Sequence, residues 1–151
     1  MRVVLTRVNH ASVSVDGQLV GKIDKGLLAL CGFDEHDKSE DLRWTLEKMA
    51  KLRIFSDEAG KMNLSANDLG CPLLLVSQFT LFAEVLKGNR PSFTKAAGPA
   101  KAEDLYKEAI SLAREYFSQV ETGIFAADMQ VESMNDGPVT ILMDSREKFP
   151  A

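Results

Sequence analysis

Three polar residues that follow an apolar run in the middle of the chain are the first candidates for chemistry. Residues 73–81 read LLLVSQFTL, so the apolar run ends in Ser77, Gln78 and Thr80. A continuous apolar run of this length predicts a strand buried on both faces. Each polar group at its end needs a hydrogen-bond partner once it leaves water. We therefore predict that a core strand delivers these side chains to a site; the alternative is that they only satisfy neighbouring backbone groups.

The alternation of side chains along a strand limits what this cluster can do. In a regular strand Gln78 and Thr80 share one face, and Ser77 and Phe79 share the other. Ser77 and Thr80 can then act on one substrate only if the strand bends between them. A serine nucleophile also needs a base, usually histidine, and Ser77 lacks the G-x-S-x-G context of a nucleophile elbow. The residues thus give little support to a serine hydrolase.

Other chemistry-bearing residues are few. His10 falls in the first predicted hairpin and His36 in a charged loop, where packing or surface exposure explains them better than catalysis. Cys31 and Cys71 lie in apolar contexts and are predicted to be buried, reduced thiols. The histidines and cysteines show no metal-ligand spacing, and there is no P-loop or G-x-G-x-x-G. We therefore expect no metal and no cofactor.

A second stretch, NDGPVT at residues 135–140, carries a different signal. Gly137 permits backbone conformations barred to other residues and allows another molecule to approach closely. Pro138 fixes φ and removes a hydrogen-bond donor. X-Pro bonds are cis in only about 5–6% of cases in folded proteins. On its residues alone, the stretch predicts a turn between two strands.

Paired strands interrupted by two helices are predicted around these stretches. Strands are predicted at residues 2–9, 11–15, 18–23, 26–33, 123–135 and 138–144, besides the one that starts at residue 73. Asp16-Gly17 is the strongest hairpin signal. Apolar residues at helical spacing predict helices at 40–52, with Ser39 as N-cap, and at 100–118. Residues 53–63 are predicted as a short strand and turn, and 64–70 as an irregular connection. This pattern is typical of an α+β fold.

Composition and charge narrow the class of protein. The 151 residues, 45% hydrophobic and 26% charged, are typical of one soluble domain, with residues 145–151 as a flexible tail. The net charge of −4 argues against a protein that coats nucleic acid, although not against one that touches an RNA end. No apolar run approaches the roughly 20 residues that span a membrane. We expect a cytoplasmic protein without a membrane partner.

The two polar stretches together resemble a known family. SQFTL at residues 77–81 and NDGPVT are similar to the two signature motifs of the D-aminoacyl-tRNA deacylases, the D-tyrosyl-tRNA deacylase family. The similarity continues in order through ASVSVDG, RIFSDEAGKMNLS, RPSF and FAADMQV, at residues 11–17, 53–65, 90–93 and 125–131. Either motif alone is a weak match, whereas the ordered set is specific. The resemblance runs from Arg2 to about Asp144, and the C-terminal tail lies outside it.

The resemblance implies an activity and an architecture. The family hydrolyses the ester between a D-amino acid and the 3′-terminal adenosine of tRNA, and it also removes glycine mischarged on the alanine tRNA. Its members are homodimers with active sites at the subunit interface. The implied fold is α+β, with antiparallel or mixed β-sheets curled into a barrel-like core and two main helices packed outside.

The resemblance also assigns roles to individual residues. The implied catalytic residues are Ser77, Gln78, Phe79 and Thr80. The implied substrate-binding residues are Gly137, Pro138, Arg7 and Met129. In the family the Gly-Pro peptide is cis and reaches into the partner subunit's site, with the arginine supporting the turn. A basic loop at residues 84–101 supplies the expected tRNA contacts, which are Lys87, Arg90 and Lys95.

The lack of a base beside the candidate serine is compatible with an aminoacyl ester of ribose, because this substrate carries a hydroxyl that can take part in its own hydrolysis. The neighbouring 2′-hydroxyl of the ribose can activate water or polarise the carbonyl, so the protein needs mainly to position the ester. Backbone N–H groups at Gln78, Phe79 or Thr80 are suitable donors to the developing oxyanion. Main-chain carbonyls at Gly137 and Pro138 could fill the space that an L side chain needs, which rejects L substrates by clash.

Two other readings stay open at the level of sequence. One is the sister deacylase branch that edits a mischarged L-amino acid; intact SQFTL and NDGPVT motifs argue against it. The other is a non-catalytic nucleic-acid-binding dimer, since some relatives have been linked to DNA replication. The acidic net charge and the lack of a long basic tail weigh against that reading.

Overall fold

The computed structural model describes every residue from Met1 to Ala151 and has an α+β fold, as predicted. The strands are β1 (Arg2–Val15), β2 (Gln18–Ile23), β3 (Gly26–Gly32), β4 (Phe55–Ser56), β5 (Met62–Leu64), β6 (Leu73–Ser77), β7 (Val120–Thr122) and β8 (Gln130–Asp144). The helices are α1 (Ser39–Lys51), α2 (Ala66–Leu69) and α3 (Pro99–Tyr116). Short 3₁₀ turns cover Phe79–Phe82 and Ser145–Glu147. None of the helices is both long and apolar enough to cross a membrane.

The long strand β1 organises the sheet because it pairs with three other strands. Along one edge its first half pairs with β3 and its second half with β2, while β8 runs antiparallel along the other edge. β6 then adds in parallel to β3, and β7 in parallel to β6. β7 also lies close to β2 at the far side of the sheet. The two strands approach so closely that a Cβ built on Gly21 would lie 2.5 Å from the Thr122 carbonyl oxygen. The mixed sheet thus curls into a nearly closed barrel, as the resemblance implied.

Both faces of β6 are buried, which confirms the prediction from its apolar run. Leu73 and Leu75 belong to the large core cluster, where α1 and α3 pack on the outside of the sheet. Leu74 and Val76 belong to a second cluster formed with residues of β1, β2 and β3. Full burial of one such side chain contributes about 1.5–3 kcal/mol, so this strand is a rigid support for the polar residues at its end.

The polar residues after the apolar run do not continue as a regular strand. β6 ends at Ser77, and a 3₁₀ turn takes the chain away from the sheet. The reason lies in its neighbours: β3 ends at Gly32, and β7 pairs with β6 only as far as Leu75. Beyond Ser77 no adjacent strand remains to hold the chain extended.

The stretch NDGPVT was predicted as a turn between two strands, and this prediction is wrong. The stretch forms a bulge inside the single strand β8. Val8 pairs with Asn135 and Thr6 pairs with Thr140, so residues 136–139 stand opposite Arg7 alone. Extra residues on one strand of an antiparallel pair bend it and expose the inserted backbone. β8 pairs with no strand besides β1, so its other edge is unpaired.

Smaller differences concern element boundaries. Residues 2–15 form one strand rather than two, and residues 123–129 form a loop rather than a strand. The connection at 64–70 contains α2, capped by the Ser65 hydroxyl, which accepts from the Asp68 N–H at 3.0 Å. Helix α1 is preceded by Lys38, not Ser39, at the cap position. The Asp16-Gly17 hairpin is confirmed, since both residues have positive φ.

A cluster of charges joins the C-terminal segment to the start of α1. The Arg146 guanidinium donates to Asp34, Asp37 and Asp41, at 3.2, 2.6 and 2.9 Å. The amino group of Met1 also donates to Asp37. Desolvation raises the pKa of Asp37 above its ordinary value. Desolvation acts in the same direction on Asp34, but hydrogen bonds led by Arg146 outweigh it and hold the pKa of Asp34 below its ordinary value.

The segment predicted as a flexible tail, residues 145–151, makes further contacts. The Ser145 hydroxyl donates to Asp41 at 2.7 Å and is fully buried. The Phe149 ring meets the Trp44 ring edge-on, with centroids 6.4 Å apart. These contacts place the start of the segment against α1.

Candidate functional site

A pocket of about 590 Å³ opens where β6 ends. Its walls include Ser77, Gln78 and Phe79, which follow directly from that strand. Phe93, from the loop before α3, and Met129, from the loop before β8, also line it. Pockets of about 300–1,000 Å³ are typical of small-molecule sites. The volume and the largely apolar lining suit a compact organic group.

The 3₁₀ turn after β6 presents backbone donors beside this pocket. The Gln78 N–H is already used, because it donates to the Cys31 carbonyl at 2.6 Å. The first bond of the turn runs from the Leu81 N–H to the Gln78 carbonyl at 3.2 Å. Phe79 and Thr80 therefore open the turn, and their N–H groups have no partner within it. Two neighbouring donors of this kind can stabilise an oxyanion.

The side chains of the predicted catalytic set are arranged without a nucleophile–base pair. The Gln78 side-chain amide donates to the Thr80 hydroxyl at 2.6 Å. Ser77 lines the pocket but has no hydrogen bond to a histidine or a carboxylate. His36 is exposed, and His10 lies in a separate polar groove. Ser77 therefore has no base to activate it, as the sequence indicated.

Cysteine chemistry is also disfavoured at this pocket. Cys31 lines its floor and is fully buried, and Cys71 is buried elsewhere; neither forms a disulfide. Desolvation raises the pKa of the Cys31 thiol far above its ordinary value. A thiol that stays protonated is a poor nucleophile and a poor metal ligand. Cys31 therefore contributes apolar surface to the pocket and is not a candidate nucleophile.

An aromatic pair forms part of the rim of the pocket. Phe79 is 57% exposed, and its ring meets the Phe93 ring edge-on, with centroids 5.0 Å apart. A large apolar side chain that remains this exposed marks a surface suited to contact with another molecule. Phe93 and Phe125 belong to the segments RPSF and FAADMQV, but no sequence pattern predicted that both residues line the pocket.

The bulge in β8 is held at both ends. Arg7, only 8% exposed, donates from Nε to the Asp136 carbonyl at 3.0 Å and from Nη1 to the Ile54 carbonyl at 2.6 Å. The Asn135 side chain accepts from the Val139 N–H at 2.8 Å and donates to the Thr140 hydroxyl at 2.8 Å. Arg7 and Asn135 therefore fix the backbone of the bulge from two sides.

At the tip of the bulge only glycine fits. The Gly137-Pro138 peptide is cis, and Gly137 has φ +132°, a conformation that L side chains rarely adopt. A Cβ there would lie 2.8 Å from Cγ2 of Val139 and 3.0 Å from Nη2 of Arg7. Gly137 and Pro138 are both exposed and do not line the pocket of their own chain.

One chain therefore brings together part of the predicted site. The pocket unites Ser77, Gln78, Phe79 and Met129, and Thr80 joins through its hydrogen bond to Gln78. Thr80 itself does not line the pocket, and the other predicted residues that do not line it are Arg7, Gly137, Pro138, Lys87, Arg90 and Lys95. The last three lie exposed in the loop before α3, where Lys95 pairs with Glu84 at 3.4 Å.

Comparisons with known proteins match almost the whole chain to one family. The sequence model of the family described as D-Tyr-tRNA(Tyr) deacylase matches residues 4–144. Proteins named D-aminoacyl-tRNA deacylase from Kosmotoga olearia and Fervidobacterium nodosum are 54% and 51% identical over 149 residues, which is 99% of this chain and 100% of each relative.

Two solved structures share the fold. The c-Myc DNA unwinding element binding protein is 39% identical, with a TM-score of 0.90 over 95% of this chain and 98% of that one. A structure described as a probable eukaryotic D-amino acid tRNA deacylase has a TM-score of 0.80 over 94% of this chain and 97% of that one; at 17% identity it shows the fold alone. The family match and the identity to the bacterial relatives confirm the resemblance seen in the motifs. The chain belongs to the D-Tyr-tRNA(Tyr) deacylase family.

Proposed function

We propose that this protein hydrolyses the ester that joins a D-amino acid to the 3′ end of tRNA. Family membership gives the reaction class, which is hydrolysis of an aminoacyl-tRNA ester. The observation that carries the proposal for this chain is the 3₁₀ turn at the end of β6: Phe79 lines the pocket, and the N–H groups of Phe79 and Thr80 have no partner within the turn. The protein would act in the cytoplasm, where aminoacyl-tRNA is used.

The mechanism we propose is substrate-assisted hydrolysis. The ribose 2′-hydroxyl of the substrate helps to activate water, and the ester is held so that its carbonyl oxygen meets the Phe79 and Thr80 N–H groups. Such preorganised donors stabilise the charge that develops in the transition state, and each is typically worth about 10²–10³ in kcat. The side chains of Gln78 and Thr80, which are joined by a hydrogen bond, orient the ester. Holding the reactants in one geometry lowers the barrier further.

Ser77→Ala tests the absence of a covalent serine step. We expect the variant to retain most of the wild-type kcat, because the Ser77 hydroxyl has no base beside it. Removal of a true serine nucleophile costs about 10⁶ in kcat. Steady-state deacylation of D-Tyr-tRNA measures the rate, and mass spectrometry after rapid quenching looks for an acyl group on the protein. An acyl-enzyme on Ser77 would show that the mechanism is wrong.

We further propose that the active protein is a homodimer in which the β8 bulge of one copy enters the pocket of the other. Gly137 and Pro138 are exposed at the tip of the bulge, which Arg7 and Asn135 hold, and neither residue lines the pocket of its own chain; these features support the assignment. Its main-chain carbonyls at Gly137 and Pro138 would occupy the space required by an L side chain. A filter that works by exclusion ignores the identity of a D side chain and admits glycine, so glycine on the alanine tRNA is also a substrate.

Gly137→Ala tests this filter. The added Cβ meets the Val139 and Arg7 side chains at short distances, and a φ of +132° is strained for alanine, so the bulge or the side chains that hold it must shift. We expect the ratio of kcat/KM for D-Tyr-tRNA over L-Tyr-tRNA to fall by roughly tenfold or more, the scale of one altered contact in a specificity pocket. Gly60→Ala is the matched control, because Gly60 also has positive φ but has open space around it. Equal D/L ratios in wild type and Gly137→Ala would refute the filter.

The exposed basic loop is the proposed contact for the tRNA end. Lys87 and Arg90 form no ion pair within the chain, and Lys95 has only the exposed Glu84 as a partner. Phosphates of the 3′ strand are natural ligands for these cations. Contact with only the end of the tRNA involves few phosphates, so the affinity should depend only weakly on salt concentration.

One assay separates the proposed function from its competitors. The protein is incubated with D-Tyr-tRNA and with L-Tyr-tRNA, and the remaining ester is measured over time. Release from the D substrate alone supports the proposal, and release from the L substrate alone indicates an editing enzyme for mischarged L-amino acids. No release from either, with binding to duplex DNA, would favour a DNA-binding role such as the name of the 39% identical c-Myc DNA unwinding element binding protein describes.

A further inference from the structure

The 3₁₀ turn that carries the candidate oxyanion donors is held by hydrogen bonds at both of its ends. At its start, the Gln78 N–H donates to the Cys31 carbonyl. At its end, the Leu81 carbonyl accepts from Nη1 of Arg2 at 2.8 Å. The last carbonyls of a helical turn have no partner within it, and a cationic side chain at that end satisfies one of them and complements the local negative charge.

Arg2 also binds two other parts of the molecule. Its guanidinium carbon lies 4.4 Å from the centre of the Phe82 ring, which is the buried side chain of the same turn. Its Nε and Nη2 atoms each lie 3.0 Å from Oδ2 of Asp144 on β8. A planar guanidinium can donate in two directions and stack on a ring at once, which a lysine ammonium cannot do. Arg2 thus links β1, β8 and the turn.

The neighbouring strand offers the turn no side chain to hold it. Arg2 pairs with Gly32 of β3, and the turn packs directly on this glycine. A Cβ built on Gly32 would lie 2.9 Å from the Gln78 carbonyl oxygen and 3.1 Å from the Phe82 ring. The side chain that contacts the turn from the position beside Gly32 is Arg2.

We propose that Arg2 is a positioning residue for hydrolysis. It fixes the 3₁₀ turn so that the N–H groups of Phe79 and Thr80 face the ester carbonyl. Arg2 does not line the pocket and acts only through Leu81 and Phe82. This inference rests on the proposed deacylation.

Three variants test Arg2 by kinetics. Arg2→Gln removes the charge and the stacking plane, and we expect kcat for D-Tyr-tRNA to fall by on the order of 10–10², with KM nearly unchanged, because the donors are displaced rather than the binding groups. Arg2→Lys should recover part of kcat, since the charge remains. Arg43→Gln is the control: Arg43 also pairs with a carboxylate, Glu115, but on the surface of α1 and α3, and should match wild type. A wild-type kcat in Arg2→Gln would overturn the inference, as would a rise in KM with kcat unchanged.

A second measurement separates this inference from the proposed function. Amide NMR signals of Phe79 and Thr80 are recorded in the free wild-type, Arg2→Gln and Arg43→Gln proteins, without substrate. We expect both signals to shift in Arg2→Gln and not in Arg43→Gln. Unshifted signals would refute the role of Arg2 even if the wild-type protein is an active deacylase. Failure of the wild type to hydrolyse D-Tyr-tRNA would instead refute the proposed function, and the role of Arg2 in hydrolysis with it.

Discussion

Replacing Phe79 with proline should lower kcat for D-Tyr-tRNA by on the order of 10²–10³ relative to Phe79→Ala, because it deletes one oxyanion donor. Proline lacks the backbone N–H, and its φ near −65° suits the first position of a helical turn. Gln78, the residue before it, has φ −146° and ψ 82°, which is outside the α region that a following proline disfavours. The substitution therefore removes the donor and leaves the turn able to form.

Phe79→Ala supplies the matched comparison for that experiment. Both variants lose the exposed ring and its contact with Phe93, but alanine keeps the N–H. Any defect shared by the two variants reports on the ring, and the difference between them reports on the donor. Initial rates at saturating D-Tyr-tRNA measure this difference. Equal kcat values in the two variants would exclude the Phe79 N–H from the oxyanion site.

Replacing Arg146 with methionine should destabilise the fold by about 3 kcal/mol. The change leaves three aspartates facing one another, and Asp37 and Asp41 are almost completely buried. Removing one partner of a buried ion pair costs about 3–5 kcal/mol; the lower end applies because the Arg146 side chain is 21% exposed. For a chain of this size the melting temperature should fall by roughly 6–12 °C, which calorimetry measures.

The pH dependence gives a further check on the Arg146 cluster. The pKa of Asp34 lies below its ordinary value in the folded protein, so its contribution to stability is present at neutral pH and is lost as pH falls through that lowered pKa. The difference in melting temperature between wild type and Arg146→Met should therefore shrink in acid. Arg43→Met, at an exposed ion pair, should leave the melting temperature nearly unchanged. A constant difference across pH would rule out an ionic origin.

Local sequence patterns predicted the strand that leads to the site better than they predicted the backbone of the site itself. The run at Leu73–Val76 predicted a strand buried on both faces because period and hydrophobicity are properties of the segment alone. Where that strand ends depends on the ends of β3 and β7, which the segment does not encode. The 3₁₀ turn at Phe79–Phe82 was therefore missed, although it decides which N–H groups are available.

The bulge and the charged clusters also depend on contacts between residues that are far apart in the sequence. Turn chemistry at NDGP is readable from Gly137 and Pro138, but a hairpin and a bulge differ only in the register of β8 against β1, which is a long-range property. Arg146 and Asp37 are separated by 109 positions in the chain, so no local pattern could pair them. Arg2 was passed over for the same reason, since its partners at Leu81 and Asp144 are remote in sequence.

The unpaired edge of β8 has a consequence for handling the protein. A strand of 15 residues with a free row of N–H and C=O groups is a template for stray strand addition and aggregation. Val131, Met134 and Leu142 add exposed apolar surface along it, and Leu142 is 76% exposed. An engineered version intended to remain monomeric in solution will need this edge protected against strand pairing. Leu142→Lys is the natural first substitution, because a charge on an edge strand disfavours pairing.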